Sequence, residues 1–320
     1  MVDKIIIDGM SFALPLFVMA IGGIYSERSG ITNLALEGLQ GAGAFVGALV
    51  AFFMMQSLGA DSQIPYYAAM IFSMLGGMTY AMLHGLLCVK FKADQVISGV
   101  VINILAMALT EFLTKVVNRI AFGKPSNKFE LGVSQRWTVP GLSEIPVVGA
   151  FFKNVYPFEL IIVIVAFIAW YVLYRTKFGF HLRACGDNPH AVDAAGIDVA
   201  KVRFIAVMVS GALSGLAGIC FAYSISANFS SSIYVGYGYL SIAALIFGNW
   251  KIVPTLAACL LFGFANSAGH QLVLAAELPS SYSDLIMILP YVLTLLLLVF
   301  FSKNNNAPRA LGEIYDKGKR

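Results

Sequence analysis

The stretch that decides the fold is Thr176–Val199, TKFGFHLRACGDNPHAVDAAGIDV. It is a charged island, roughly one short helix long, between two apolar segments that can each cross a bilayer. Asp187 or Asn188 can N-cap a helix, and Pro189 suits its first position, where an N–H would have no partner. His190–Ala195 supplies about two turns, and Gly196 can end them with a positive φ. Asp198 then caps the next span, which begins near Val199. Phe178, Phe180 and Leu182 precede the helix and can anchor in the membrane interface. Two capped helices meeting at a sharp corner make a rigid knob on the membrane surface. Such a knob suits the docking of a soluble partner; a plain cytoplasmic loop that needs two turns would use the same residues.

Outward from the island the chain is apolar. Its 320 residues are 59% hydrophobic and 12% charged, where a soluble domain carries about 25% charged residues. A spanning helix needs about 20 apolar residues. The candidate spans are Gly9–Tyr25, Leu34–Met55, Tyr66–Val89, Val96–Val117, Glu159–Tyr174, Val202–Ser224, Tyr239–Phe247, Ile252–Leu274 and Leu285–Phe301. The seventh is too short for a straight crossing. It is a half-helix or is extended by Ile233–Gly238; broken helices are tolerated where the backbone is buried in protein or lines a cavity. The class is an all-α polytopic membrane protein of about nine transmembrane or part-spanning helices. The apolar runs are continuous and do not alternate, which excludes a β-barrel. Met1–Lys4 and the apolar run behind it have no small-residue cleavage site, so this run reads as a retained first span.

With the island in the cytoplasm and nine crossings, fourteen of the 21 Lys and Arg fall inside and seven outside. The positive-inside rule expects this bias, and the N-terminus is then outside and the C-terminus inside. Residues 1–302 form one transmembrane domain, with 176–199 as its cytoplasmic segment and 303–320 as a basic cytoplasmic tail. The long outer segment 118–158 holds Pro125, Pro140, Pro146, Pro157 and Trp137 and is too polar for lipid. It caps the bundle or offers a docking surface for a substrate-binding protein.

No catalytic signature is present: no GxxxxGK[ST], no HExxH, no GxSxG. The chain therefore hydrolyses no nucleotide itself. His84, His181, His190 and His270 are dispersed, and Cys88, Cys185, Cys220 and Cys259 have no paired spacing, so no metal site is expected. The charge of +4 reflects topology and not nucleic-acid binding. Gly211 and Gly215 form a small-xxx-small pattern, with Gly218 beyond it and Gly41, Gly43 and Gly47 in the second span, all suited to close helix packing in lipid. Polar residues inside spans face a cavity or a partner. Asn33 and Glu37 are spaced to share a helix face, and Glu37 could contact substrate or pair with Arg28 or backbone donors. Asn103, Glu111, Asn266 and His270 raise the same question; Glu111 could simply reach water, and the asparagines could join helices. The Tyr-rich stretch Ala222–Tyr239 reads as an outer aromatic belt, or as a wall for stacking a flat substrate.

Two motifs carry a resemblance. Gly22–Phe45, GGIYSERSGITNLALEGLQGAGAF, resembles the signature of permease subunits of ABC importers. The branch is that for nucleosides and simple sugars, related to branched-chain amino-acid and ribose permeases. Leu182–Ala222, LRACGDNPHAVDAAGIDVAKVRFIAVMVSGALSGLAGICFA, resembles the same family's coupling segment and following span. The resemblance implies a type II importer permease fold in a bacterial cytoplasmic membrane. It implies a cytosolic ABC ATPase that uses Mg-ATP, a second permease subunit (paralogue or self), and an extracytoplasmic substrate-binding lipoprotein. It places Gly186, Asp187, Asn188, Pro189, Ala194, Ala195 and Gly196 against the ATPase, and Asn33 and Glu37 near the substrate pathway, with Asn103, Asn266 and His270 as further candidates. Nucleosides are the leading substrate and riboflavin the alternative. A stand-alone, ion-coupled secondary transporter using Glu37 or Glu111 is the rival of another class.

Overall fold

The computed structural model describes residues 2–59, 62–123, 125–132, 134–145, 148–276 and 306–317, with 288, 292 and 296 singly. In chain order the elements are α1 (Val2–Arg28), α2 (Leu36–Leu58), α3 (Ile64–Gly85, prolonged by a π-helical turn, Leu86–Lys90), α4 (Gln95–Phe122) and β1 (Lys128–Glu130). Then follow α5 (Pro157–Arg175), α6 (Lys177–Asp187), α7 (Pro189–Ala194), α8 (Val199–Ile225), β2 (Asn228–Ser230), α9 (Tyr237–Phe247) and α10 (Ile252–Ala275). Among the described residues seven helices are long and apolar enough to cross a membrane: α1 to α5, α8 and α10.

The helix ends follow their sequences. Asp3 in the first turn of α1 and Arg28 in its last complement the helix dipole. Asp94 caps α4 by accepting the Ile97 N–H at 2.9 Å. The bundle is built on α1, α2, α3 and α8, which pack on one another and bury α8 along most of its length. Gly43, Gly77, Gly211 and Gly215 meet where α2, α3 and α8 cross, and a Cβ on any of them would strike a neighbouring backbone. With little hydrophobic drive between helices in lipid, this close approach is what holds them. The outer faces of α4 and α5 remain exposed.

The seventh candidate span is the half-helix α9, entered through the three-residue strand β2 and a turn segment, 231–236. From the outer end of α8 the chain turns back as β2, antiparallel to β1 with Phe129 opposite Phe229. It continues inward through 231–236, and α9 starts beside Glu37 of α2. Beyond α9, Trp250 meets the inner end of α1. Asp3 at the N-terminal end of α1 lies 3.6 Å from Lys153, whereas 306–317 lies against Gly186 and Gly30 at the opposite end of the bundle. The ninth span, Leu285–Phe301, lies outside the described residues apart from single positions.

Several expectations need correction. The island holds two helices, and Phe178, Phe180 and Leu182 are inside α6 and not in a leading loop. The fourth span runs on to Phe122, because Asn118 ties its own turn to the carbonyls of Ser126 and Lys128. Asn33 and Glu37 do not share a helix face. The Asn33 side chain accepts the Ala35 N–H at 3.1 Å and holds the chain out of helix until Leu36. The aromatic belt is not a belt either: Phe229 and Tyr234 are buried in protein as the chain re-enters. Glu111 bonds Lys115 on the next turn at 2.6 Å.

Candidate functional site

Two breaks in helix meet inside the bundle. The first is the connection 29–35 between the spans α1 and α2. In the second, 226–236 precedes α9. Each break exposes the first-turn N–H groups of a helix, and a side chain from elsewhere receives them. For α2 it is Asn103 of α4, whose Oδ1 accepts the Gly38 N–H at 2.7 Å. Its Nδ2 donates to the Leu34 carbonyl at 2.8 Å and to the Tyr239 hydroxyl at 3.3 Å. For α9 it is Glu37, whose Oε2 accepts the Gly236 N–H at 2.8 Å. The amides of Gly238 and Tyr239 face the same carboxylate. A helix N-terminus is where a negative charge inside a membrane is best tolerated.

The walls around this cluster are polar at chosen points. Asn33 is fully buried and donates to Ser210 of α8 at 2.8 Å. Tyr234 is 3.3 Å from Thr110 of α4. Tyr239, on the first turn of α9, is exposed beside Asn103. Asn33, Glu37 and Asn103 are thus brought together, directly or through one residue. Asn266 and His270 are not: they lie on α10, which packs on α1 and α9. Arg28 does not reach Glu37; its Nε donates to the Trp250 carbonyl at 3.0 Å, and the indole of Trp250 donates to Glu27 at 2.5 Å. Thr110 and Ser210 are not among the sequence candidates, and Tyr234, Gly236 and Tyr239 enter only within the stretch Ala222–Tyr239, read as a belt or a stacking wall. Each makes its contact far along the chain, and no local pattern marks them.

The second site is the island. Asn188 is the cap of α7, accepting the Ala191 N–H at 3.0 Å, while Asp187 is the exposed last residue of α6. Pro189 is at the first position of α7 and buried. Ala194 ends α7, Ala195 follows, and both are exposed. Gly196 turns the corner at φ +80°, a conformation that disfavours any Cβ. Asp198 caps α8, accepting the Lys201 N–H at 3.0 Å. Gly186 lies directly on the carbonyl of Arg28, where a Cβ has no room. Cys185 beside it is buried, and burial pushes its thiol up to about 11. Among the described residues no three His, Cys, Asp or Glu converge to hold a metal ion.

Comparison with known proteins places these features. Residues 5–298 match the model of the family described as the branched-chain amino acid transport system permease component. The chain is 39% identical to the guanosine ABC transporter permease protein NupQ of Bacillus subtilis, over 97% of this chain and 95% of that one. It is 37% identical to the nucleoside ABC transporter permease protein NupC of Lactococcus lactis, over 98% and 97%. Among solved structures, a metal-chelate type ABC transporter in an inward-facing conformation superposes with a TM-score of 0.50 at 16% identity, covering 93% of this chain and 85% of that one. At that identity the likeness concerns the fold alone. The matches run through both breaks in helix and the α6–α7 island, so the chain belongs to the permease-component family of branched-chain amino acid transport systems and is a multi-pass permease subunit of an ABC transporter, not itself an enzyme.

Proposed function

We propose that the chain is the permease subunit of an ATP-driven importer of nucleosides, working in a bacterial cytoplasmic membrane. The observation that carries this reading is the near full-length similarity to two permeases named for guanosine and for nucleosides. In this reading the substrate passes the Asn103–Tyr239 edge of the central cluster, where amide and phenol groups are held ready by the two breaks. Glu37 and Asn33 shape that edge from behind. A cytosolic ABC ATPase, which uses Mg-ATP, docks on the exposed small residues of α7, and a substrate-binding lipoprotein docks at the outer segment. A second permease subunit covers the exposed face of α4, where the Glu111–Lys115 pair would otherwise meet lipid.

Riboflavin shares a flat heteroaromatic ring on a polyol, and no single residue separates it from a nucleoside; the two relatives weigh for the nucleoside. Against ion coupling, Glu37 is engaged by backbone N–H groups and Glu111 by Lys115, so neither carboxylate stands free as an ion or proton carrier. The test is uptake of labelled adenosine into proteoliposomes that hold this chain with its co-encoded partners. Guanosine, ribose and riboflavin serve as separate competitors. We expect uptake that needs ATP and yields to guanosine but not to riboflavin. Uptake by this chain alone that collapses with an ionophore would overturn the reading, as would riboflavin transport without nucleoside transport.

A further inference from the structure

The tail residues 306–317 lie folded across the end of the bundle that carries α6 and α7. The Asn306 N–H donates to Asn249 Oδ1 at 2.8 Å. The Ala310 N–H donates to the Gly186 carbonyl of α6 at 2.8 Å, and the Gly312 N–H to the Gly30 carbonyl at 3.1 Å. The Tyr315 ring is 5.3 Å from that of His190 on α7. Lys317 lies 3.5 Å from Asp193 of α7, and Asp316 lies 2.9 Å from Lys92 at the end of α3. Those ion pairs are solvated and weigh little. The attachment rests on the backbone bonds and on one buried arginine.

That arginine is Arg203, just beyond the α7–α8 corner and 2% exposed. Its Nε donates to the Ser29 carbonyl and its Nη1 to the Glu313 carbonyl, both at 3.0 Å. None of the ion pairs among the described residues includes it. A buried guanidinium is costly unless its donors are taken up, and here two separate stretches of backbone take Nε and Nη1, while the buried Nη2 has no hydrogen-bond partner among the described residues. Ser29 and Gly30 begin the non-helical segment 29–35. Its other end holds Asn33, bonded to Ser210, and Leu34, bonded to Asn103. The tail thus touches the knob on one side and the start of the α1–α2 connection on the other, and Arg203 closes the loop from α8.

We propose that Arg203 and the tail segment 308–317 are positioning elements of coupled transport: they bind the α6–α7 knob to the non-helical segment 29–35, so that displacement of the knob displaces the polar cluster. This rests on the reading of α6–α7 as the ATPase-docking element. A tail that only sealed the bundle would affect stability and leave the stoichiometry of transport alone.

The experiment uses this chain assembled with its co-encoded ATPase and second permease in proteoliposomes. The variants are Gly312→Pro, which removes the N–H given to Gly30, a truncation after Pro308, Arg203→Gln and Arg203→Lys. Three quantities are read: ATPase retained on purification, ATP hydrolysed, and labelled adenosine taken up. We expect the ATPase to be retained and hydrolysis to persist. Uptake per ATP should fall about tenfold, the size that coupling between sites commonly takes. Arg203→Lys should recover part of it, because an ammonium can reach one of the two carbonyls. If the truncated chain does not assemble, Gly312→Pro and Arg203→Gln decide. A further variant, Ala191→Arg with Ala194→Arg, loads the exposed face of α7 with bulk. ATPase retained by that variant would overturn the docking reading and the proposal with it. Loss of the ATPase there, with unaltered uptake per ATP in the tail variants, would overturn the proposal alone.

Discussion

Glu37 and Asn103 are read in the sequence as costly polar groups inside spans, and that much is legible because hydropathy alone makes them conspicuous. What they bond is not legible: Glu37 meets Gly236 and Asn103 meets Leu34 and Gly38, contacts that only the tertiary fold creates. Their geometry makes them latches for the two breaks. Asn103→Leu leaves the Gly38 N–H and the Leu34 carbonyl without partners, at about 1–3 kcal/mol for each buried group left unsatisfied. A lowered unfolding temperature in detergent, together with reduced uptake, is the expected result. At Glu37 the charge itself matters, since a carboxylate at a helix N-terminus gains up to about 2 kcal/mol in partly buried settings. Glu37→Gln keeps an acceptor and should cost less than Glu37→Leu, which keeps none. Equal unfolding temperatures for those two variants would rule out the latch.

Among elements, the clearest sequence signals are those of local chemistry. Asn188, Pro189, Gly196 and Asp198 punctuate α7 and the start of α8 as their side chains and φ preferences dictate. Asn188→Ala should cost about 0.5–2 kcal/mol, as cap removal does. The effect belongs to α7, so hydrogen exchange at 189–196 should rise while α2 and α8 stay protected. Unchanged exchange would mean that packing and not capping holds the knob. Elements that depend on burial are harder to read. Asn33 to Glu37 has helical spacing, yet the Asn33 side chain competes with the helix for a backbone N–H and wins. The stretch Ala222–Tyr239 has the Tyr-rich composition of an interfacial belt, which suits a membrane surface as well as a segment buried in protein. Only the pairing of Phe129 with Phe229, a hundred residues apart in the chain, separates the two.

For the whole molecule, the membrane-spanning helices are legible in apolar length, because bilayer thickness acts on the chain everywhere. The surface that assembly uses was not written there, since lipid-facing and partner-facing helices are equally apolar. The exposed face of α4 carries the one clue. Ile104, Ala108, Glu111 and Lys115 fall on one side at helical spacing, next to Asn103 and Tyr239. An ion pair on that side suits a water-filled route between subunits and not hydrocarbon. The native cysteines allow a direct test. All four are buried, and Cys185, its thiol raised to about 11, stays protonated at neutral pH and reacts slowly. The background against a charged thiol reagent is therefore low. In the assembled complex, Ala108→Cys on α4 should react readily and be protected by nucleoside. Ile168→Cys, at an exposed apolar position of α5, should not react. Equal silence at both positions would mean that the Glu111–Lys115 face lines no aqueous pathway, and the route would have to be sought on another side of the central cluster.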